Sequence, residues 1–145
     1  MGTKVSAVLK RKGHAVVTVQ PQQTVGSVAC VLAQNRIGAA PVLDQNSQLI
    51  GIISERDIVR GIAEHAEAVL DLPAQKLMTR EVRTCGADDE LVELMQMMTT
   101  QRFRHVPVIK DGTLDGVVSI GDVVKQRLEE MQLEVETLRD YISRP

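Results

Sequence analysis

The chain has 145 residues, 43% of them hydrophobic and 25% charged, which is enough for one real core and unlike the composition of a disordered segment. A net charge of -2 and a pI near 5.9 argue against a nucleic-acid partner, which calls for a basic surplus. Phe103 and Tyr141 are the only aromatic residues, so platforms for stacking single-stranded bases are excluded, and any purine held here must lie between aliphatic side chains.

From the N-terminus, Thr3 is placed to cap a short helix whose apolar face is Val5, Val8 and Leu9 and which Gly13 closes. Lys10, Arg11 and Lys12 follow on that helix with the composition of a solvated face. Residues 16–19 read as a strand ended by Pro21. Thr24 then caps a helix with Val25, Val28, Ala29 and Leu32 on one side. Cys30 lies in this apolar stretch and is expected to be a buried small hydrophobe. Neither Cys30 nor Cys85 has CxxC spacing or a neighbouring His, so no zinc site and no disulfide framework is read. The segment 36–41 turns the helix into the next strand; its small residues permit close approach of another group, and Gly38 serves equally as a helix C-cap. Val42 and Leu43 continue as strand, residues 44–47 form a turn, residues 49–53 return as the second arm, and a helix follows from Ser54 through Ile58, Val59 and Ile62.

Residues 66–75 connect the halves, punctuated by Pro73, and residues 76–79 lead into the second. Asp88 or Asp89 caps a helix whose buried stripe is Leu91, Leu94, Met95 and Met98, the methionines acting as adaptable core. Residues 103–109 are strand, Asp111-Gly112 a tight turn and residues 114–119 the returning strand. The last helix starts near Ser119 and runs toward Ser143. Along it Val124, Leu128, Met131, Val135, Leu138 and Ile142 alternate four and three residues apart, the a/d repeat of a coiled-coil seam. Arg127, Glu129, Glu130, Glu134, Glu136, Arg139 and Asp140 flank it. A seam this regular favours a second chain over a helix laid along its own domain. No apolar run is long enough to span a bilayer and no signal peptide is visible, so a cytoplasmic protein without a membrane partner is expected.

The two halves repeat one another. Val16 aligns with Val82, Thr18 with Thr84, Arg36 with Arg102, and Pro41-Val42 with Pro107-Val108. Gly51-Ile-Ile-Ser54-Glu-Arg56-Asp57 returns as Gly116-Val-Val-Ser119-Ile-Gly121-Asp122. In each copy a strand runs into a helix with a hydroxyl at the junction and a carboxylate three residues on, so both groups point the same way. An ionised carboxylate only accepts hydrogen bonds and a ribose diol offers two donors, so the pair suits a ribose. The same residues make equally good helix N-caps.

Two ordered copies of Pro-Val, turn and Gly-h-h-Ser-x-x-Asp (h, hydrophobic) resemble the CBS-domain family, the cystathionine β-synthase-type domains, arranged as a tandem pair over about residues 12–127. The Ser-Glu-Arg-Asp form at 54–57 is similar to that of small stand-alone bacterial members. The resemblance implies an α/β fold of two β-α-β-β-α repeats with pseudo-twofold symmetry, in one module over 1–145. Repeat 1 spans 12–65, repeat 2 spans 76–127, and a C-terminal helical extension covers 128–145. It implies two clefts between the repeats that take adenine nucleotides, with Ser54 and Asp57, and Ser119 and Asp122, on the ribose. The Asp57 cleft would gather Arg56, Met78, Arg83, Phe103, Arg104 and His105; the Asp122 cleft would gather Gly121, Lys12, Val17, Ile37, Gly38 and Ala39. Arg56, Arg104, His105 and Lys12 are the phosphate-binding candidates. The guanidinium groups of Arg56 and Arg104 make the Asp57 cleft the better anion site.

The resemblance therefore implies a non-catalytic regulatory module whose ligand is AMP foremost, with ATP or NAD(H) as alternatives, and which forms a homodimer acting on a downstream protein. Two other readings stand beside it: a dimerisation scaffold with vestigial clefts, and a detached regulatory piece of a nucleotide enzyme such as inosine monophosphate dehydrogenase. Catalysis has no support in the sequence, which contains no Walker-type loop and no nucleophile beside a base. No cofactor or metal is required by this reading.

Overall fold

Two β-hairpins carry the architecture, each made by β-branched residues on both arms of a polar turn. In a computed structural model describing residues 2–143, the elements run α1 (Val5–Lys12), α2 (Val25–Asn35), β1 (Ala39–Leu43), β2 (Leu49–Ser54), α3 (Glu55–His65), a 3-10 helix (Ala66–Asp71), α4 (Ala74–Leu77), α5 (Leu91–Gln101), β3 (His105–Lys110), β4 (Thr113–Ser119) and α6 (Ile120–Ser143). The chain is thus an α/β fold of two repeats, each with a small antiparallel sheet, followed by a long C-terminal helix. Pro41 faces Ile52 across the first hairpin, and Pro107 faces Val117 across the second. Asp44 closes the first turn by accepting from the N–H groups of Asn46 and Gln48 at 2.8 and 2.9 Å. Asp111 and Gly112 both take positive φ, 52° and 79°, as a two-residue turn that matches strand twist requires.

The strand expected over 16–19 shrinks to one residue. Val19 donates to the Pro41 carbonyl and accepts from Leu43, both at 3.0 Å, before the turn at Pro21 carries the chain away. Cys85 does the same against Pro107 and Ile109, at 3.0 and 2.8 Å. Several expected caps also differ. The N-cap of α1 is Lys4, without a side-chain bond; the Thr3 hydroxyl donates instead to Glu130 of α6. Glu90 precedes α5 without a side-chain cap, because Asp89 is taken by the N–H of Gly86 at 2.7 Å and the Thr3 carbonyl accepts from Leu91 at 2.8 Å. Arg36 closes α2 in the left-handed region at φ 54°, so Gly38 is not the cap. Thr24 does cap α2, accepting from the Ser27 N–H at 3.2 Å. Cys30 is exposed: it stands five residues from Val25, about 140° round the helix from the buried face.

Each repeat owns a core, and the helix that completes it comes from ahead of the other repeat. Val5, Val8 and Leu9 of α1 pack with Leu91, Leu94, Met98 and the β3–β4 valines. Val69, Ala74 and Met78 pack with Val25, Val28, Val42 and Ile53. The glycine in the middle of each returning strand receives that helix. A methyl on Gly116 would meet Leu9 at 2.6 Å, and one on Gly51 would meet Met78 at 2.6 Å. Both strands need a glycine there because an apolar side chain lies directly on the backbone.

Candidate functional site: the cleft between the repeats

The ends of β2 and β4 deliver the two motifs. Ser54 ends β2 opposite Ala39, and Ser119 ends β4 opposite His105. Ser54 Oγ accepts from the Asp57 N–H at 3.2 Å, while Asp57 Oδ2 accepts from the N–H and the hydroxyl of Ser54 at 2.9 and 3.1 Å, a capping box. Ser119 and Asp122 repeat the reciprocal pair at 3.1 and 2.8 Å. Capping is therefore realised in both copies. It engages one oxygen of Asp57; the other, Oδ1, has the Thr79 hydroxyl at 3.4 Å and an Arg60 guanidinium nitrogen at 3.9 Å.

The second copy differs in charge. Lys12, at the end of α1, donates to Asp122 Oδ2 at 2.6 Å and to the Val117 carbonyl at 2.8 Å. Burial raises the Asp122 carboxyl, but the bonds from Lys12 and Ser119 outweigh it and hold the group below the usual carboxylate range. Arg11 reaches Glu129 at 3.1 Å and the Asp122 carbonyl at 3.2 Å. The basic cluster expected to be only a solvated face thus ties α1 to α6.

A cleft of about 790 Å³ opens beside the Asp57 motif. Of the residues expected in sites, it brings together Ser54, Arg56, Asp57, Arg83, Phe103, Arg104 and His105, and with them Ser119, Gly38, Ala39 and Gly121, all four expected on the Asp122 side. Lys12, Val17, Ile37, Met78 and Asp122 are not among its lining residues. Met78 and Ile37 belong to the first core, Val17 is half-buried ahead of the Val19 bridge, and Lys12 is held by Asp122. Gly38 and His105 meet where the repeats cross: a methyl on Gly38 would lie 3.3 Å from the His105 ring and 3.4 Å from a Glu55 oxygen. Burial holds the His105 imidazole below its ordinary value; Asp122 and Glu55 pull it up, and Lys12 and Arg104 push it down.

The lining holds five arginines (Arg56, Arg60, Arg83, Arg102 and Arg104) against three carboxylates (Glu55, Asp57 and Glu81). A net-negative chain thus gathers a net-positive cleft. Arg60, Arg102 and Thr79 are lining residues that the motifs did not point to. Arg60 stands one helical turn after Arg56 on the same face, a signal the sequence did carry, whereas Arg102 was visible only as a marker of the repeat.

The CBS domain profile matches the chain twice, over residues 5–64 and 74–129. The chain belongs to the CBS-domain family. Among solved structures, this CBS pair is similar to a CBS-domain containing protein of Agrobacterium tumefaciens, at 43% identity and a TM-score of 0.84, covering 86% of this chain and 99% of that one. It is 34% identical to the mitochondrial CBS domain-containing protein CBSX3 of Arabidopsis thaliana, over 97% of this chain and 72% of the relative. Two further structures share the fold of the pair. CBSX2, solved in complex with AMP, has a TM-score of 0.76 at 23% identity, covering 90% of this chain and 99% of that one. The CBS domain pair of protein MJ0100, solved with 5-methylthioadenosine and S-adenosyl-L-methionine, has a TM-score of 0.76 at 24% identity, covering 86% and 98%. The match to inosine-5'-monophosphate dehydrogenase of Methanocaldococcus jannaschii, at 33% identity, covers 77% of this chain and 22% of the enzyme.

Proposed function

We propose that the chain is a non-catalytic, cytoplasmic regulatory module that binds an adenine nucleotide beside Asp57, AMP foremost, with ATP or NAD(H) as alternatives, and that it works as a homodimer acting on a downstream protein. The observation that carries the reading is the convergence of five arginines on a cleft that also holds the Ser54–Asp57 pair. Arginine presents planar sets of donors to phosphate, and Asp57 Oδ1, which the capping box leaves over, is an acceptor for a ribose hydroxyl. The Asp122 carboxylate is already held by Lys12, which supports tighter binding of a phosphorylated ligand on the Asp57 side. Adenosine ligands in two proteins of the same fold support the ligand class. The capping boxes favour a second reading, a scaffold with vestigial clefts, since they account for both Ser–Asp pairs without a ligand.

Calorimetry of nucleotide-stripped protein with AMP, ATP, NAD, S-adenosylmethionine and GMP separates the two readings. An adenine ligand at about a hundred times its dissociation constant raises stability by roughly 2.7 kcal/mol. Asp57→Asn keeps an acceptor for the cap and is expected to weaken binding about tenfold or more, with Asp122→Asn having a smaller effect. Equal losses from the two substitutions would remove the preference for the Asp57 side, and no binding of any adenine ligand would leave the scaffold.

A further inference from the structure

The second half of α6 leaves the body of the protein. Every described residue from Met131 to Ser143 is exposed, about 20 Å of helix at 1.5 Å per residue. A lone helix of that length is marginal in water, so its persistence calls for a partner along its side. Past Ile120, which packs on the second core as the helix begins, the side-chain contacts that hold α6 to the body come from one face: Val123 is fully buried, Asp122 and Glu129 meet Lys12 and Arg11, and Glu130 meets Thr3. In the heptad set by the seam these are positions b and c. The a and d positions lie on the opposite side of the wheel, about 180° away at 100° per residue. Val124, Leu128, Met131, Val135, Leu138 and Ile142 are accordingly between 46% and 78% exposed.

We infer that α6 pairs with α6 of a second copy of this chain, as a parallel, in-register two-stranded coiled coil along that seam. The proposal rests on the homodimer in the functional reading and not on the nucleotide. Charge selects both partner and direction. In the parallel register, Glu134 at g faces the partner's Arg139 at e, twice by symmetry, and Arg127 faces the partner's Gln132. With the helices antiparallel and fully overlapped, Lys125 faces the partner's Arg139 and Glu134 faces the partner's Glu134, like charge against like. The surface is therefore complementary to itself in one direction only. Because the body sits behind the helix, two bodies lie outside the pair and leave the seam clear.

Sedimentation velocity of the intact chain, with cysteine pairing, tests this. In a Cys30→Ser background, Leu128→Cys and Leu138→Cys are oxidised separately; in a parallel pair each meets its own copy at a Cα separation compatible with a disulfide, about 6 Å. The expected result is a dimer, linked efficiently in both variants, whose dissociation constant rises at least a hundredfold in Leu128→Asp/Leu138→Asp. Circular dichroism of that double variant is expected to show a folded body, because both positions are exposed in the single chain. A dimer linked at only one of the two positions, or one that survives the double substitution, overturns the pairing while leaving self-association intact. A monomeric native chain overturns both.

Discussion

At the scale of single residues, the two cysteines divide by environment. Burial first, and Asp89 second, push the Cys85 thiol up to about 12, so it stays protonated and inert at neutral pH, while Cys30 faces solvent. A thiol reagent is expected to modify one cysteine in the native protein and two after unfolding, with peptide mapping placing the first at Cys30; rapid native labelling of Cys85 would contradict its burial. His105 makes a pH prediction. Its folded-state value is depressed below 6.5, so the unfolded chain binds more protons as pH falls, and stability declines from about pH 6.5 downwards. Asp122, also depressed, loses stability in the same direction at lower pH. Urea midpoints between pH 5 and 7 are expected to slope less steeply in His105→Asn than in the native chain, and an unchanged slope would remove His105 from the account. Local chemistry of this kind was partly legible in the sequence. The caps at Thr24 and Ser54 and the Asp111-Gly112 turn follow from rules spanning four residues, but the side of α2 on which Cys30 falls needed the helical phase as well as the apolar composition.

At the scale of elements, α1 does two things: its apolar face closes the second core, and Lys12 at its end holds Asp122. Leu9 is 1% exposed and rests on Gly116, so Leu9→Ala is expected to cost about 2–5 kcal/mol. Hydrogen exchange should place the loss in β3, β4 and α5 ahead of β1, β2 and α2. Faster exchange in the first hairpin alone would contradict the core assignment. Nothing local in Val5, Val8 and Leu9 says which sheet they cover. Their spacing identifies a buried face, but the address lies in a glycine a hundred residues away. The first strand of each repeat was overread for the opposite reason: β-branched residues at 16–19 carry strand propensity, yet pairing depends on the neighbour, and only Val19 reaches one.

At the scale of the whole molecule, the repeat gave away the pseudo-twofold architecture, and the seam on α6 marked the one helix that outgrows it. The cleft was legible as a set of motifs but not as a charge distribution, because its five arginines come from α3, from the segment after α4 and from the segment between α5 and β3. The crossed cores carry a prediction of their own. Residues 73–145 produced alone lack α1 and are expected to show no cooperative thermal transition by circular dichroism, whereas mixing with residues 1–72 restores one. Independent folding of 73–145 at the stability of the intact chain would refute the crossing.

The same crossing bears on how such a chain can arise. A half-length protein with one motif would send its leading helix to a neighbour's hairpin and leave its own hairpin bare, so it could close only as a symmetric pair with swapped arms. Joining two such halves through the segment between His65 and Ala74 replaces a bimolecular encounter with a tethered one, at the high effective concentration of a short linker. Once tethered, the halves are free to differ, as their two carboxylates do: Asp122 is held by Lys12, whereas Asp57 borders an open cleft lined by arginines from both halves.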